Sequence, residues 1–177
     1  MNMISMVTPG QASGNVAQVY GQIEQAFGRV PNGMRLFSSS PALLEQQWQQ
    51  LGYYMQHPHL SFPLLAFIRM LVSQRQDCEY CVGMNESMLV NMAGIAVEDV
   101  LAAKRNPAAA PLPEKEKAML LAVLKAVETP KALDSSDFNR LRSLGWEDGD
   151  ILDAINHGAR NVAIDIMFNA FKIESDF

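Results

Sequence analysis

The sequence predicts an all-α protein, and three observations support this fold class. Apolar residues recur at intervals of three and four along nearly the whole chain, which is the period of an amphipathic helix. No stretch alternates apolar and polar residues between Asn-Gly or Asp-Gly turns, as a sheet would require. The 177 residues are 49% hydrophobic and 19% charged, which is typical of one globular domain. We therefore expect a single all-helical domain over residues 1–177.

The first helix is predicted between Ser13 and Gly28. Ser13 is available as an N-cap, and a glycine just past the end suits the left-handed conformation that closes many helices. The apolar face between them consists of Val16, Val19, Tyr20, Ile23 and Phe27. We expect residues 1–14 to be a flexible start.

Serine and proline mark the beginnings of the next helices. Ser40 and Pro41 supply an N-cap and a proline at the first helical position, where its missing N–H has no intrahelical partner to lose. Ser61 caps the following helix. The predicted segments in this region are a turn at 30–33, a short helical piece at 34–37, and helices at 41–56 and 61–76.

Glycine and proline divide the second half of the chain. A helix that begins at Cys78 continues to Ala93 and stops at Gly94. The stretch 106–113 is dense in proline and alanine, and we interpret it as a connector between two helical halves. Further helices are predicted at 97–103, around 118–128, from 134 or 135 to 144, and from about 148 to 171.

The two halves echo each other at an offset of 51 residues. Gly94–Ala103 then matches Gly145–Ala154, and in both segments the glycine follows a helix. This echo fits either a duplicated helical unit or a chance similarity between two helix–glycine–helix corners.

Charge and the N-terminal sequence limit the partners and the compartment. Lys and Arg number 14 against 19 Asp and Glu, which gives a net charge of −5. This balance argues against nucleic acid and anionic membranes, whose binding needs clustered Lys and Arg. Residues 1–6 do not resemble a signal peptide, and the longest apolar stretch, 62–72, is too short to cross a bilayer. We expect a cytoplasmic protein.

Cys78 and Cys81 are the two cysteines of the chain and form a CxxC motif at a predicted helix start. Residues i and i+3 of a helix share a face with Cβ atoms roughly 5–6 Å apart, so a modest distortion would permit a disulfide. A helix N-terminus favours the thiolate, whereas carboxylates at Asp77 and Glu79 oppose it if they face the thiol. Because a reducing compartment would keep a structural bridge open, the pair is interpreted as redox-active or metal-binding.

Two further interpretations of the cysteine pair stay open. Zinc normally needs four ligands, and no second CxxC or HxxxH motif supplies them, so the fold would have to bring His57, His59 or His157 close. The cysteines could also be ordinary small hydrophobic residues. We expect no metal and no cofactor.

Four segments together match the pattern of a known family. They are Val30–Asn32, Ser40–Ala42, the Cys78–Cys81 motif and the corner Gly94–Val100. The sequence resembles the alkyl hydroperoxidase D-like branch of the carboxymuconolactone decarboxylase superfamily, in particular its peroxidase-related subgroup, from about residue 30 to 172. The resemblance implies an all-helical homo-oligomer whose cysteines reduce hydroperoxides or pass electrons through a thiol–disulfide cycle. It implies Cys81 as nucleophile and Cys78 as resolving cysteine, with the roles open to reversal.

Two positions depart from the family pattern. The family carries a histidine four residues after the second cysteine and a glutamate twelve before the first, and these form a proton relay. The corresponding residues are Asn85, which cannot carry a proton near neutral pH, and Ala66, which cannot even hydrogen-bond. We expect Tyr80 and Asn85 to support the site, and His57 or His59 to replace the relay if their loop folds over the cysteines.

These observations favour a thiol–disulfide oxidoreductase that reduces hydroperoxides or disulfides with an external thiol as electron donor. Turnover is expected to be slow because the relay is missing. The alternative is a catalytically degenerate, redox-sensitive scaffold or binding module, and a weaker one is a lactone decarboxylase. A homo-oligomer is expected because segments such as 64–68 are apolar on more than one side.

Overall fold

A computed structural model describes residues 3–177, and over this range it contains nine α-helices and no β-strand. The all-α prediction is therefore confirmed. The first two residues of the predicted flexible start lie outside the described residues. The helices are α1 (Gly14–Phe27), α2 (Asn32–Leu36), α3 (Pro41–Met55), α4 (Phe62–Arg75), α5 (Glu79–Asn91), α6 (Val97–Arg105), α7 (Glu114–Glu128), α8 (Ser135–Ser143) and α9 (Asp148–Phe171).

The capping signals in the sequence explain where several helices begin and end. The Ser61 hydroxyl accepts the backbone N–H of Leu64 at 3.2 Å at the start of α4. Asp134 forms a capping box with Asp137 at the start of α8. α1 ends at Gly28, whose φ of 75° lies in the left-handed region that glycine adopts without strain.

The chain divides into two compact units. The first contains the residues up to His57 together with Phe168–Asp176, and the second contains Pro58–Met167 with Phe177. In the first unit α1 packs against α3, with the rings of Phe27 and Trp48 edge to face at 6.0 Å. The connector 106–113 lies inside the second unit, where Pro107–Ala109 form a 3-10 turn. One domain spanning residues 1–177 stays a prediction.

In the second unit α4 is the central helix, and α5 and α7 pack against it. Its buried residues go nearly all the way round, at 64–68 and 70–73, rather than forming a single stripe. α9 also approaches closely, because Gly158 leaves so little room that a Cβ there would lie 2.5 Å from Cγ1 of Val123 in α7. This close approach places the inner face of α9 next to α4.

Both glycine corners of the internal echo adopt the left-handed conformation, with φ of 68° at Gly94 and 84° at Gly145. In each corner the next residue donates its N–H back to a carbonyl of the preceding helix, from Ile95 to Leu89 and from Trp146 to Leu141. The corners thus share a left-handed glycine, but the hydrogen bond reaches back six residues from Ile95 and five from Trp146. Duplication of the whole helical unit stays a prediction. None of the helices among residues 3–177 combines the length and the hydropathy that crossing a membrane takes.

Candidate functional site

A sharp turn between α4 and α5 delivers the first cysteine to the interior of the second unit. Asp77 adopts a φ of 50°, in the left-handed region. The backbone N–H of Cys78 then donates to the carbonyl oxygen of Ser73 at 3.0 Å, which is the long hydrogen bond of a Schellman motif. This closure of α4 fixes Cys78 beside Ser73, and Cys78 in turn becomes the N-cap of α5.

Cys78 and Cys81 are free thiols in the first turn of α5, and both are buried. Their Sγ atoms and a carboxylate oxygen of Asp165 in α9 all lie within 4.8 Å of one another. The carboxylate that faces the pair is therefore Asp165, whereas Asp77 and Glu79, the adjacent acidic residues, are exposed. The pair lies at the start of a helix, as the CxxC motif predicts. Its neighbour Asp165 could not be inferred from the motif.

Two side chains hold the Asp165 carboxylate in place. The Ser73 hydroxyl donates to Oδ1 at 2.8 Å, and Nδ2 of Asn161 donates to Oδ2 at 2.9 Å. Nδ2 of Asn161 also donates to the Ser73 hydroxyl at 2.7 Å, which closes the arrangement. We call Ser73, Asn161 and Asp165 the carboxylate cluster. All three side chains are buried.

The electrostatics of the two thiols differ. The Cys81 thiol donates a hydrogen bond to Cys78 and thereby lowers the pKa of Cys78. The pKa of Cys81 is raised by this bond, by burial and by the negative charge of Asp165. Burial raises the pKa of Asp165, against the opposing effect of hydrogen bonds from Cys81, Ser73, Cys78 and Asn161. Cys78 is therefore the thiol that ionises more easily, and Asp165 is a carboxylate that can accept a proton.

A second set of polar groups, in which Asn85 and His157 are buried and Arg69 is half-buried, lies between the same helices. The Arg69 Nε donates to Oδ1 of Asn85 at 2.7 Å, and Nδ2 of Asn85 donates to the carbonyl oxygen of Cys81 at 2.8 Å. One guanidinium nitrogen of Arg69 lies 3.3 Å from Nε2 of His157. We call Arg69, Asn85 and His157 the arginine cluster. Its side-chain contacts connect α5 and α9 to α4.

The arginine cluster carries a fixed positive charge and a neutral imidazole. Burial lowers the pKa of Arg69 to about 10, which still leaves the guanidinium charged at neutral pH. Burial and the charge of Arg69 lower the pKa of His157 to about 3, against a hydrogen bond to the backbone of Leu65. His157 is therefore neutral at physiological pH and accepts from Arg69, so it is not a proton acceptor for the thiols.

Three further residues that the sequence predicts for the site, namely Tyr80, His59 and His57, contact other side chains. Tyr80 is buried, and its ring meets that of Phe177 edge to face at 5.3 Å. His59 lies 2.8 Å from a carboxylate oxygen of Asp150 at the start of α9. His57 belongs to the first unit, where it stacks on Tyr54. Their roles in the site stay predictions.

Metal-ligating side chains come together in the described part of the chain at Cys78, Cys81 and Asp165. Histidine is not part of this group. Two thiolates and one carboxylate are one ligand short of the four that a structural zinc site uses. The two thiols and the carboxylate fit a proton-transfer site better than a zinc site, because Ser73 and Asn161 already hold the carboxylate next to the thiols.

Sequence reasoning found the two cysteines and missed the carboxylate cluster. Asp165 is far from the motif along the chain and belongs to no known spacing with it. A signal was present in the pattern of polar residues on otherwise buried faces. Arg69 and Ser73 are four residues apart on α4, and Asn161 and Asp165 are four apart on α9, so each pair shares one helical face.

No protein-family model matches the chain. A segment of 89 residues, half of the chain, is 28% identical to the alkyl hydroperoxide reductase Rv2159c of Mycobacterium tuberculosis. The matched segment spans 26% of that relative's length.

Solved structures resemble nearly the whole chain. A peroxidase-related protein with an alkylhydroperoxidase AhpD core from Ralstonia eutropha JMP134 matches with a TM-score of 0.86 and 19% identity, covering 99% of this chain and 92% of that one. A peroxidase-related protein from Silicibacter sp. TM1040 matches with a TM-score of 0.85 and 20% identity, covering 98% and 90%. The debrominase Bmp8 matches with a TM-score of 0.79 and 18% identity, covering 98% and 92%.

The resemblance that the CxxC motif and the glycine corner predict is thus confirmed at the level of the fold. Identities of 18–20% establish architecture and leave activity open. The chain has the all-α fold of the alkyl hydroperoxidase D-like, peroxidase-related proteins.

Proposed function

We propose that the protein is a dithiol oxidoreductase that reduces hydroperoxides, and also disulfides, through Cys78 and Cys81. The observation that carries this proposal is the geometry of the pair. The two free thiols lie in one helical turn at the N-terminus of α5, hydrogen-bonded to each other and next to a carboxylate. A thiolate at a helix N-terminus is stabilised by the unpaired N–H groups and the macrodipole.

The reaction is a two-electron oxidation of the pair. The thiolate of Cys78 attacks the outer oxygen of a hydroperoxide, so that an S–O bond forms, the O–O bond breaks and an alcohol leaves. Cys81 then attacks the resulting sulfenic acid, an S–S bond forms and water leaves. An external thiol donor reduces the disulfide and completes the cycle. This order of attack reverses the one that the family resemblance implies, and it is supported by the lowered pKa of Cys78.

The fold also accommodates other substrates. One of the solved structures is a cysteine-to-alanine variant of the debrominase in complex with 2,3,4-tribromopyrrole. Hydroperoxides are favoured here because the names of three other relatives refer to peroxidases or alkyl hydroperoxide reduction. A scaffold that retains the fold and has lost the chemistry is the outcome to be excluded.

We further propose that the protein works as a homo-oligomer in the cytoplasm. Large apolar side chains of the second unit are exposed, namely Met92, Val97, Leu101, Leu152 and Ile166. A second copy of the chain would remove this apolar surface from water. Light scattering at micromolar concentration should give at least a dimer mass, and a monomer mass would contradict the proposal.

The function is tested by treating the reduced protein with hydrogen peroxide, alkylating the remaining thiols and measuring mass. We expect the loss of two hydrogens within the peptide that contains both cysteines, and full recovery of two thiols with dithiothreitol. Cys81→Ser should stop at a sulfenic acid on Cys78, whereas Cys78→Ser should lose the fast reaction altogether.

Two results would refute the proposal. One is that the two thiols stay unmodified at millimolar peroxide while the unfolded protein reacts, which is the behaviour of a scaffold. The other is oxidation only between chains. If instead Cys78→Ser retains the fast reaction, the dithiol chemistry stands and the order of attack returns to Cys81 first.

A further inference from the structure

Asp165 is the ionisable group that the fold, rather than the motif, brings to the cysteines. Its carboxylate is fully buried, and one of its oxygens lies within 4.8 Å of both Sγ atoms. The positions at which the family resemblance implies a relay contain Asn85 and Ala66, neither of which can transfer a proton. Among the described residues, the carboxylate of Asp165 is thus the group next to the thiols that can do so.

The hydrogen bonds of Asp165 leave it free to change its protonation state. Ser73 and Asn161 are neutral donors, and no basic side chain among the described residues forms an ion pair with Asp165. Arg69, a cation between the same helices, instead donates to Asn85 and lies against His157. A buried carboxylate without a cationic partner readily takes up a proton, and burial raises its pKa here.

We propose that Asp165 is the general base and general acid of the dithiol, an inference that rests on the proposed function of the pair. Asp165 takes the proton of the Cys78 thiol as the thiolate attacks. It then gives this proton to the alkoxide or hydroxide that leaves when the O–O bond breaks. The carboxylate is the catalytic residue, and Ser73 and Asn161 are the residues that position it.

The same carboxylate serves the second step. The Cys81 thiol gives its proton to Asp165, its sulfur attacks the sulfenic sulfur of Cys78, and the hydroxide released from that sulfur takes the proton and leaves as water. The sum is two thiols and one hydroperoxide giving one disulfide, one alcohol and one water. Asp165 returns to the carboxylate form, so that no further acid or reductant is needed within the oxidative half-reaction.

A different role would be purely electrostatic. A negative charge beside the thiols raises their pKa, and on that account alone the removal of Asp165 should make the cysteines more reactive. The two roles are distinguished by the leaving group. Hydrogen peroxide must expel a strongly basic hydroxide that needs a proton, whereas methyl methanethiosulfonate expels a weakly basic sulfinate that needs none.

The experiment compares the natural protein with Asp165→Asn and with Asp148→Asn as a matched control. Asp148 lies in the first turn of the same helix, is exposed and pairs with Arg142 at the surface. At pH 7 we expect Asp165→Asn to slow disulfide formation by hydrogen peroxide by roughly 10²-fold or more, the usual range for general acid–base catalysis. Thiol modification by methyl methanethiosulfonate needs the base but not the acid, so it should slow by a clearly smaller factor, whereas a purely electrostatic role would make it faster. Asp148→Asn should alter neither rate.

The pH profile gives a second readout. In the natural protein the peroxide rate should change little across neutral pH, because the thiol proton stays within the site. In Asp165→Asn it should climb toward alkaline pH as the thiols ionise to solvent. Arg69 stays charged and His157 neutral over this range, so neither accounts for such a climb.

Several outcomes would overturn the role of Asp165. These are equal slowing of both reagents, no slowing of peroxide, or a climb with pH already present in the natural protein. A natural protein that forms no disulfide with peroxide overturns the proposed function and this inference together.

Circular dichroism and thermal unfolding check that Asp165→Asn is folded. If it is not, Ser73→Ala keeps the carboxylate and removes one positioning bond, and it should slow peroxide selectively by a smaller factor or the inference fails.

Discussion

The carboxylate cluster and the arginine cluster lie between the same three helices and have opposite chemistry. All their side chains are buried except that of Arg69, which is half-buried, and each cluster joins α4 to α9 by side-chain hydrogen bonds. The arginine cluster pairs a permanent cation with acceptors whose protonation does not change near pH 7. The carboxylate cluster pairs an ionisable acid with neutral donors, next to two thiols.

The comparison shows why a family position and a functional position need not coincide. Asn85 stands where the family carries its histidine, yet both ends of its amide are occupied in a structural chain from Arg69 to the backbone of Cys81. The proton-transfer capacity has a different source, on α9. We therefore expect changes in the arginine cluster to affect stability, and changes in the carboxylate cluster to affect chemistry.

The largest expected effect on stability comes from Arg69→Met. This change leaves Oδ1 of Asn85 and Nε2 of His157 without their donor, and Asn85 is fully buried. Stranding a buried acceptor costs roughly 1–3 kcal/mol, so with two stranded acceptors the free energy of unfolding should fall by about 2–6 kcal/mol. Urea unfolding with the thiols kept reduced measures this loss.

The control for this variant is Arg105→Met, at the exposed end of α6. It should change the free energy of unfolding by no more than about 0.5 kcal/mol, as for most surface substitutions. A loss below about 1 kcal/mol for Arg69→Met would show that water replaces the guanidinium easily. The arginine cluster would then not be the structural element that we describe.

Most of the fold was accessible from the sequence because its signals are local. The hydroxyl of Ser61, the capping box at Asp134 and the glycine at position 28 act within one turn of the helix ends that they mark. The division of the chain after His57 could not be predicted in this way. It depends on which distant segments pack together, and periodicity alone does not report that.

The candidate site also depends on contacts between segments that are distant along the chain, which the sequence does not report. The motif places Cys78 and Cys81 in one helical turn, and the structure agrees. Asp165 joins them only because α9 approaches α4 and α7 closely at Gly158, where a side chain would collide with Val123. No spacing rule links a carboxylate on the last helix to a motif on the fifth, so the pairing is visible only in three dimensions.

A smaller effect on stability is expected from pH through His157. Its pKa in the folded protein, about 3, lies below the unfolded value near 6.5, so the unfolded chain binds a proton that the folded one excludes. Stability is therefore lost as pH falls below about 6.5, by about 2 kcal/mol between pH 7 and pH 5.

The test is to compare urea unfolding of the natural protein and of His157→Gln at both pH values. The glutamine oxygen can still accept from Arg69, but it does not titrate, so the variant should lose about 2 kcal/mol less over this interval. Asp165 acts in the opposite direction, because its raised pKa lets the folded state take up a proton in acid. It is present in both proteins and drops out of the difference. Equal pH dependence would contradict a neutral, buried His157.

The smallest effect is expected at Asn161, the residue through which the two clusters meet. Its Nδ2 donates to Asp165 and Ser73, and it lies 3.4 Å from the carbonyl oxygen of Arg69. Asn161→Ala removes one donor from the carboxylate, so the pKa of Asp165 should rise further. The low-pH limb of the peroxide rate should then move to higher pH by the same amount, while the rate at its plateau falls only a fewfold because Ser73 still positions Asp165.

Asn156→Ala, at an exposed position on the same helix, is the control and should leave the limb in place. If Asn161→Ala lowers stability and leaves the pH profile unmoved, Asn161 belongs with the arginine cluster, and the boundary between structure and chemistry runs between Asn161 and Asp165.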